Sequence, residues 1–554
     1  MSKLVVLAIL LVASTCAVAQ AQSTNPTRSR PGTITGTVVT ENGQPLENVV
    51  IWVRTFSSSR PVQMALTDHD GKFEVNGLEP LSYQILTRHS VYTLQLRDEA
   101  TPNNYHIGDS VKLVMVKGGV ITGTVTTRTG EPVIGVRVRV IKVPSGDTVT
   151  ERATDDRGFY RVYGLPAAKY VVVAGGNSGS YLPDPYDGDV PTYSPASTRD
   201  TAAEINVHVG EEIANVDIRY RGEPGRTVSG TVNDTSGGLS EAHVSLISSN
   251  ESGFQSRANA FPIGDNHSFA FYGVDDGDYT IMAQKGNLEG DWSISLPQRV
   301  SVRGADVTGV GLALKPLGSV SGQVVLEELK TKECVTKEEP VLTEMLVSAW
   351  HKQDEAAKAF PNFVWNFGTP VSADAQGSLK LRNLAPSDYY FVTRFEVKSW
   401  YLKSIALVSS TTKKTVDATR VWTTVKHGDQ ISGLKITLAE GAASLSGNVV
   451  LAEGEALPEK LFVYLVPAEK ESGDEVLRFY GAAVNPAGKI TLNNLAPGRY
   501  LLLARTGLDG GLTNLRVPDA TETRAKLRLE AEAVKTEIEL KPCQNVVDYK
   551  VNRR

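Results

Sequence analysis

One short phrase recurs five times along this chain and limits its folding options more than any other feature. It consists of an apolar residue, a polar residue, glycine, another polar residue and valine. It reads Ile34-Thr-Gly36-Thr-Val38, Ile121-Thr-Gly123-Thr-Val125, Val228-Ser-Gly230-Thr-Val232, Val320-Ser-Gly322-Gln-Val324 and Leu445-Ser-Gly447-Asn-Val449. Alternation with period two puts the apolar residue, the Gly and the Val on one face of a strand. A Gly on that inward face leaves room for a facing side chain or backbone. A second alternating strand follows, as in Val49, Ile51 and Val53, or Leu461, Val463 and Leu465. In the second copy Val136, Val138 and Val140 share one face, with Arg137 and Arg139 on the other.

The third piece reads Gly71-x-Phe73-x-Val75-x-Gly77-Leu78-x-Pro80-x-x-Tyr83, and its equivalents close on Tyr170, Tyr279, Tyr389 and Tyr500. The position before the Leu is Gly77 and Gly164 in two copies, Asn383 and Asn494 in two others. Gly exchanging with Asn is what a left-handed backbone position selects. The third copy is degenerate, with Asp276 in place of the Pro, yet Phe269, Phe271, Gly273 and Tyr279 keep register. Each copy ends on a further strand: Val111-x-Leu113, Val216-x-Ile218, Val310-x-Leu312, Leu434-x-Ile436 and Ile538-x-Leu540.

The spacing from motif Gly to motif Tyr varies little except for insertions in the fourth copy, so the copies read as one structural unit. Short strands separated by turns, with hardly any helical periodicity, predict an all-β chain of antiparallel β-sandwiches in tandem. The boundaries predicted are 31–117, 118–222 with a long Tyr/Asp loop, 223–316, 317–440 with insertions, 441–543, and a tail at 544–554. Each span is large enough for its own core. The links are short, as at Lys117-Gly118-Gly119, so neighbours are expected end to end in a rod.

Residues 1–21 read as a secretory signal rather than as part of the fold. Lys3 precedes an aliphatic run from Leu4 to Val12, and Ala17-Val18-Ala19 offers a small-x-small cleavage site. The run is too short to span a bilayer, and no later segment is long and apolar enough to do so. A lipid anchor on Cys16 fits poorly with Thr15 before it. A secreted or periplasmic product is therefore expected. With 57 Lys and Arg against 62 Asp and Glu the formal charge is −5, which is no footprint for nucleic acid. Cys334 and Cys543 fall in different repeats, so tolerated free thiols or a bridge between molecules are expected before an intrachain one.

The Gly-x-Val opening, the Gly43-Gln44-Pro45 and Gly130-Glu131-Pro132 hairpins and the Gly-x-Phe…Gly-Leu-x-Pro…Tyr ending resemble the carboxypeptidase regulatory-like domain. That family is Ig-like and transthyretin-like in fold, close to the starch-binding-like and Cna-B-like sandwiches. The resemblance implies an accessory role without catalytic residues, and the chain looks like secreted bacterial proteins built of such repeats. An envelope protein or polysaccharide is the partner class it implies, and no cofactor.

His208-Val-Gly-Glu211 has the spacing of two zinc ligands, but its positional equivalents, His106-Ile-Gly-Asp109 and His427-Gly-Asp429, read as turn chemistry. Asp68-His-Asp70-Gly71 begins like a calcium loop and lacks its twelfth-position Glu; an acid capping its own turn accounts for it. Two places are candidates for a ligand, the first for carbohydrate and the second for a sugar or a cation. Phe363, Trp365 and Phe367 read as three aromatics on one strand face with Asn366 beside them; an inward core strand is the plainer reading. Tyr181, Asp184, Tyr186, Asp187, Asp189 and Tyr193 populate the long loop of the second repeat; tyrosines anchored on the sheet are the plainer reading there.

Overall fold

The computed structural model describes residues 32–552 apart from 59, 96–103, 146–147, 177–184, 235–240, 250–254, 287–289, 331–333, 335–337, 367, 409–412, 452–455, 459, 470–472 and 508–514. Residues 1–21, expected as a signal, and Tyr181, Asp184 and Phe367 therefore lie outside the described residues.

Alternation along Ile34–Thr40 buries Ile34 and Val38 completely and turns Thr35 outward. This strand pairs antiparallel with Lys72–Val75 on one side and parallel with Ser110–Lys117 on the other. A second sheet, centred on Val50–Thr55 between Gln63–Leu66 and Tyr83–Arg88, faces it. Ile51, Val53, Phe73, Tyr83, Ile85 and Leu113 fill the space between the two. The same plan follows around Gly119–Thr126, Arg226–Asp234, Gly318–Glu327 and Ala443–Val450, each beside its own buried apolar cluster. In the third sandwich Ser293–Ile294 pairs with both Gly277–Lys285 and Val307–Pro316, joining the two sheets through one edge.

Three expectations need correction. The sandwiches are not purely antiparallel: in each, the motif strand runs parallel to the last strand of its unit. The residues expected as a tail beyond 543 supply that last strand in the fifth unit, Asn545–Asn552, beside Ala443–Val450. Ile538 and Leu540, expected in that slot, lie in Glu537–Leu540 on the other sheet, against Gly498–Thr506. Finally, the chain is not an extended rod. Ser82 in the first sandwich donates to the Glu344 carbonyl at 2.6 Å, Thr343 donates to the Pro80 carbonyl, and His106 Nδ1 lies 3.6 Å from Glu396 Oε2. The first sandwich thus rests on the fourth. These contacts join residues more than 250 positions apart, and no local sequence signal records them.

A helix, Thr521–Val534, was also not anticipated. Leu527 and Ala531 cover Tyr464, Val466, Leu501 and Leu503 on the outer face of the last sandwich. Arg524, almost fully buried, donates to the Leu515 and Val517 carbonyls and pairs with Asp474 at 3.2 Å.

Candidate functional site

The motif glycines sit at the closest approach inside each sandwich. A β-carbon on Gly36, Gly123, Gly230, Gly322 or Gly447 would collide with the carbonyl of Val111, Val216, Val310, Leu434 or Tyr549 on the parallel last strand. The residues directly opposite, Phe73, Tyr160, Phe269, Leu379 and Ile490, turn inward beside them. The missing side chain lets the last strand close over the core.

The motif tyrosines do one job in all five units. Tyr83, Tyr170, Tyr279, Tyr389 and Tyr500 donate to the carbonyls of Glu79, Pro166, Asp275, Ala385 and Ala496, four residues upstream, at 2.9, 2.7, 2.8, 2.8 and 2.6 Å. This is a tyrosine corner, which pins the turn between two strands. Burial holds the Tyr170 phenol up to about 12 and raises the other four as well. The hydroxyl's role is not stated by the strand pattern; the signal for it is the constant offset of each tyrosine, five residues after Leu78, Leu165, Val274, Leu384 and Leu495.

Turn acids hold backbone. Asp68 accepts from the amides of Asp70 and Lys72, Asp155 from Arg157 and Phe159, Asp374 from Gln376 and Ser378, and Asn485 from Ala487 and Lys489. The carboxylates of Asp109, Glu211 and Asp429 each accept from the amide three residues earlier, at His106, His208 and Lys426. Gln544 does the same for Lys541. Among the described residues no group of three or more His, Cys, Asp or Glu is placed to hold a metal ion.

The left-handed Gly/Asn position is where each sandwich meets the one before it. Gly164 (φ 74°) lies against the Ser90 carbonyl, and Gly273 (φ 67°) against the carbonyls of Asp187 and Asp189. Asn383 (φ 61°) accepts from the Trp292 amide at 2.8 Å and donates to the Gly290 carbonyl at 3.1 Å. Asn494 (φ 57°) donates to the carbonyls of Val397 and Trp400 at 2.7 and 2.8 Å. The backbone must turn left-handed to present this point. Gly lets the neighbour's backbone approach, and Asn replaces the approach with hydrogen bonds.

The aromatic candidates of the fourth repeat belong to a junction too. Phe363, Trp365 and Asn366 lie in a single 3-10 helix, Asn362–Asn366, not on a strand, so the shared strand face does not exist. Three residues per turn send Val364 inward. Val364, Phe363 and Trp365 pack with Ile247, Met282, Trp292 and Ile294 of the preceding sandwich. One face of Trp365 is covered by the His351 ring, stacked at 3.7 Å, and Phe360 meets it edge-on.

In the second repeat, Tyr186 donates to the Ile134 carbonyl at 2.9 Å and meets Tyr220 edge-on at 5.7 Å. Tyr193 is buried in Thr192–Tyr193, paired with Val173 and Ala174. The two tyrosines hold this loop down on their own sandwich, away from the Trp365 helix, so the two sequence candidates do not converge. Cys334 and Cys543 form an intrachain disulfide with Cα atoms 5.4 Å apart, linking the fourth and fifth units. The repeat map had separated them because it placed residue 543 at the end of a unit. The final strand instead follows it, and residue 543 lies at the junction, where its amide bonds the Gly441 carbonyl.

These features define a class, a tandem β-sandwich protein whose recurring geometry lies in corners, close-packed glycines and docking turns. Residues 33–104 and 120–184, within the first two sandwiches, match the carboxypeptidase regulatory-like domain. No curated protein matches the chain. Among solved structures, the TIE protein of Bacillus anthracis is 16% identical over 52% of this chain and 51% of its own, with a TM-score of 0.15. Two B repeat units of the collagen binding protein of Staphylococcus aureus are 14% identical over 71% and 94%, at 0.17. The major pilin subunit BcpA of Bacillus cereus is 11% identical over 51% and 99%, at 0.13. Superposition that low fixes neither a shared arrangement of modules nor a shared activity.

Proposed function

We propose that this chain is a non-catalytic structural or adhesive protein of the cell envelope or extracellular space, in which five β-sandwich modules are held in fixed relation. The observation that supports this best is where the polar residues are engaged. The turn acids cap backbone amides, the motif tyrosines pin corners, and Asn383 and Asn494 hold junctions. Among the described residues no helix is long and apolar enough to cross a membrane, and the short apolar run at residues 4–12 serves export. The partner is an envelope protein or polysaccharide that reads an extended surface rather than a cleft. The carbohydrate reading attached to Trp365 is not carried further, because its ring is stacked under His351 at the junction.

The test is fractionation of cells producing the full chain, followed by cross-linking on intact cells. Expected are a mature product beginning near residue 22 outside the cytoplasm, covalent capture of an envelope component, and no hydrolysis of peptide or ester substrates by the purified protein. A full-length cytoplasmic product, or hydrolysis that copurifies with the chain, overturns the proposal.

A further inference from the structure

A cavity of about 190 Å³ lies between the second and third sandwiches. Arg139 and Tyr193 line it from the second, and Leu246, Ala258, Phe271 and Tyr279 from the third. Alternation placed Arg139 on the outer face of Arg137–Lys142, where a solvated side chain is the ordinary outcome. The structure buries it instead, at 6% exposure, because the loop carrying Tyr193 folds over that face. Its Nη2 donates to the Gly175 carbonyl at 2.7 Å, and its Nε has no hydrogen-bond partner. Among the described residues no carboxylate lies within ion-pair distance of it.

The acids around the cavity are engaged elsewhere. Asp200 pairs with Arg199 at 2.9 Å, and Asp275 faces Arg221 at 3.8 Å while accepting from the Asp276 amide. Asp276 accepts from the Gly304 amide at 2.8 Å. Burial pulls the guanidinium below its ordinary value, opposed by Tyr193, Glu151 and Asp187. A buried cation with a donor left over is costly, and a carboxylate is the group whose two oxygens match its fork. Beyond the guanidinium the walls turn apolar, at Leu246, Ala258 and Phe271.

We infer that this cavity is a binding site for a small carboxylate with an apolar body, the carboxylate on Arg139 and the body against Leu246 and Ala258. This goes beyond the structural role, which needs no small ligand.

The test is calorimetric titration of the mature chain with benzoate, with benzamide as the neutral isostere, and with inorganic phosphate. Benzoate is expected to bind, benzamide at least tenfold more weakly, and phosphate without measurable heat. Arg139→Gln is expected to weaken benzoate about 10- to 100-fold, the range for hydrogen bonds to a charged group. Ala258→Leu fills the apolar half without touching Arg139 and is expected to abolish binding. No benzoate binding, equal binding of benzamide or of phosphate, or unchanged benzoate affinity in either variant overturns the inference. Should Arg139→Gln fail to fold, the benzoate–benzamide contrast in the natural chain and the Ala258→Leu titration decide it.

Discussion

Asn383 offers the sharpest test of how the sandwiches are held together. Its side chain makes two hydrogen bonds across the junction, to the Trp292 amide and the Gly290 carbonyl, and is 9% exposed. Removing it leaves a buried amide without its acceptor, a loss of about 1–3 kcal/mol. The backbone there is left-handed, at φ 61°. Asn383→Ala keeps the β-carbon that the asparagine already carries in that conformation, at about 1–2 kcal/mol, whereas Asn383→Gly removes it. The two variants should therefore both uncouple the third and fourth sandwiches, with Ala the less stable by about 1 kcal/mol. Urea unfolding followed by tryptophan fluorescence reads this, because Trp292 sits in the junction cluster. A single transition should split in the variants as the two units unfold separately. Equal stability of the Ala and Gly variants would refute the backbone part of the reasoning; an unchanged transition in both would refute the junction itself. Asn494→Gly should act on the fourth–fifth junction alone, and its effect should add to that of Asn383→Gly.

Other outcomes follow from the same geometry. Tyr170→Phe should cost about 0.5–1.5 kcal/mol by loss of the corner hydrogen bond, read as a shift in urea midpoint. Because burial holds the Tyr170 phenol up to about 12 against an ordinary 10, its contribution is complete below pH 10 and lost as pH rises to 12; the variant should flatten the stability curve in that window. Gly230→Ala should destabilise by about 1–3 kcal/mol or more by overpacking against Val310 and the Phe269 ring, while Gly311→Ala, with nothing within 4 Å, should be far milder; melting temperatures compare them. Peptide mapping without reductant should recover the peptides of Cys334 and Cys543 joined. Reduction should lower stability by about 2–4 kcal/mol. Recovery of both cysteines as free thiols would contradict the bridge.

Much of the fold was readable because its signals are local. Alternation along Ile34–Thr40 and Val50–Thr55 needs only period two, and the turn acids bond amides two and four residues away. The Phe363–Trp365 stretch misled because aromatics at alternate positions look like a strand, whereas a 3-10 turn at a junction buries Val364 between them and leaves both rings partly covered. The helix at Thr521–Val534 carried a signal in its run of Ala, Leu, Glu and Arg, outweighed by the surrounding strands.

The sequence alone determined the β-sandwich unit, its repetition, the left-handed positions and the need for glycine at Gly36 and its counterparts, since each follows from sterics within a few residues. Only the tertiary structure decided that Asn383 and Asn494 face a neighbouring unit, that Cys334 reaches Cys543, that the first sandwich rests on the fourth, and that Arg139 is buried. Those outcomes depend on folded surfaces meeting across long stretches of chain, 91 residues from Trp292 to Asn383 and 209 between the two cysteines, where the final contacts are set by the shapes of those surfaces and not by any pattern in the intervening residues.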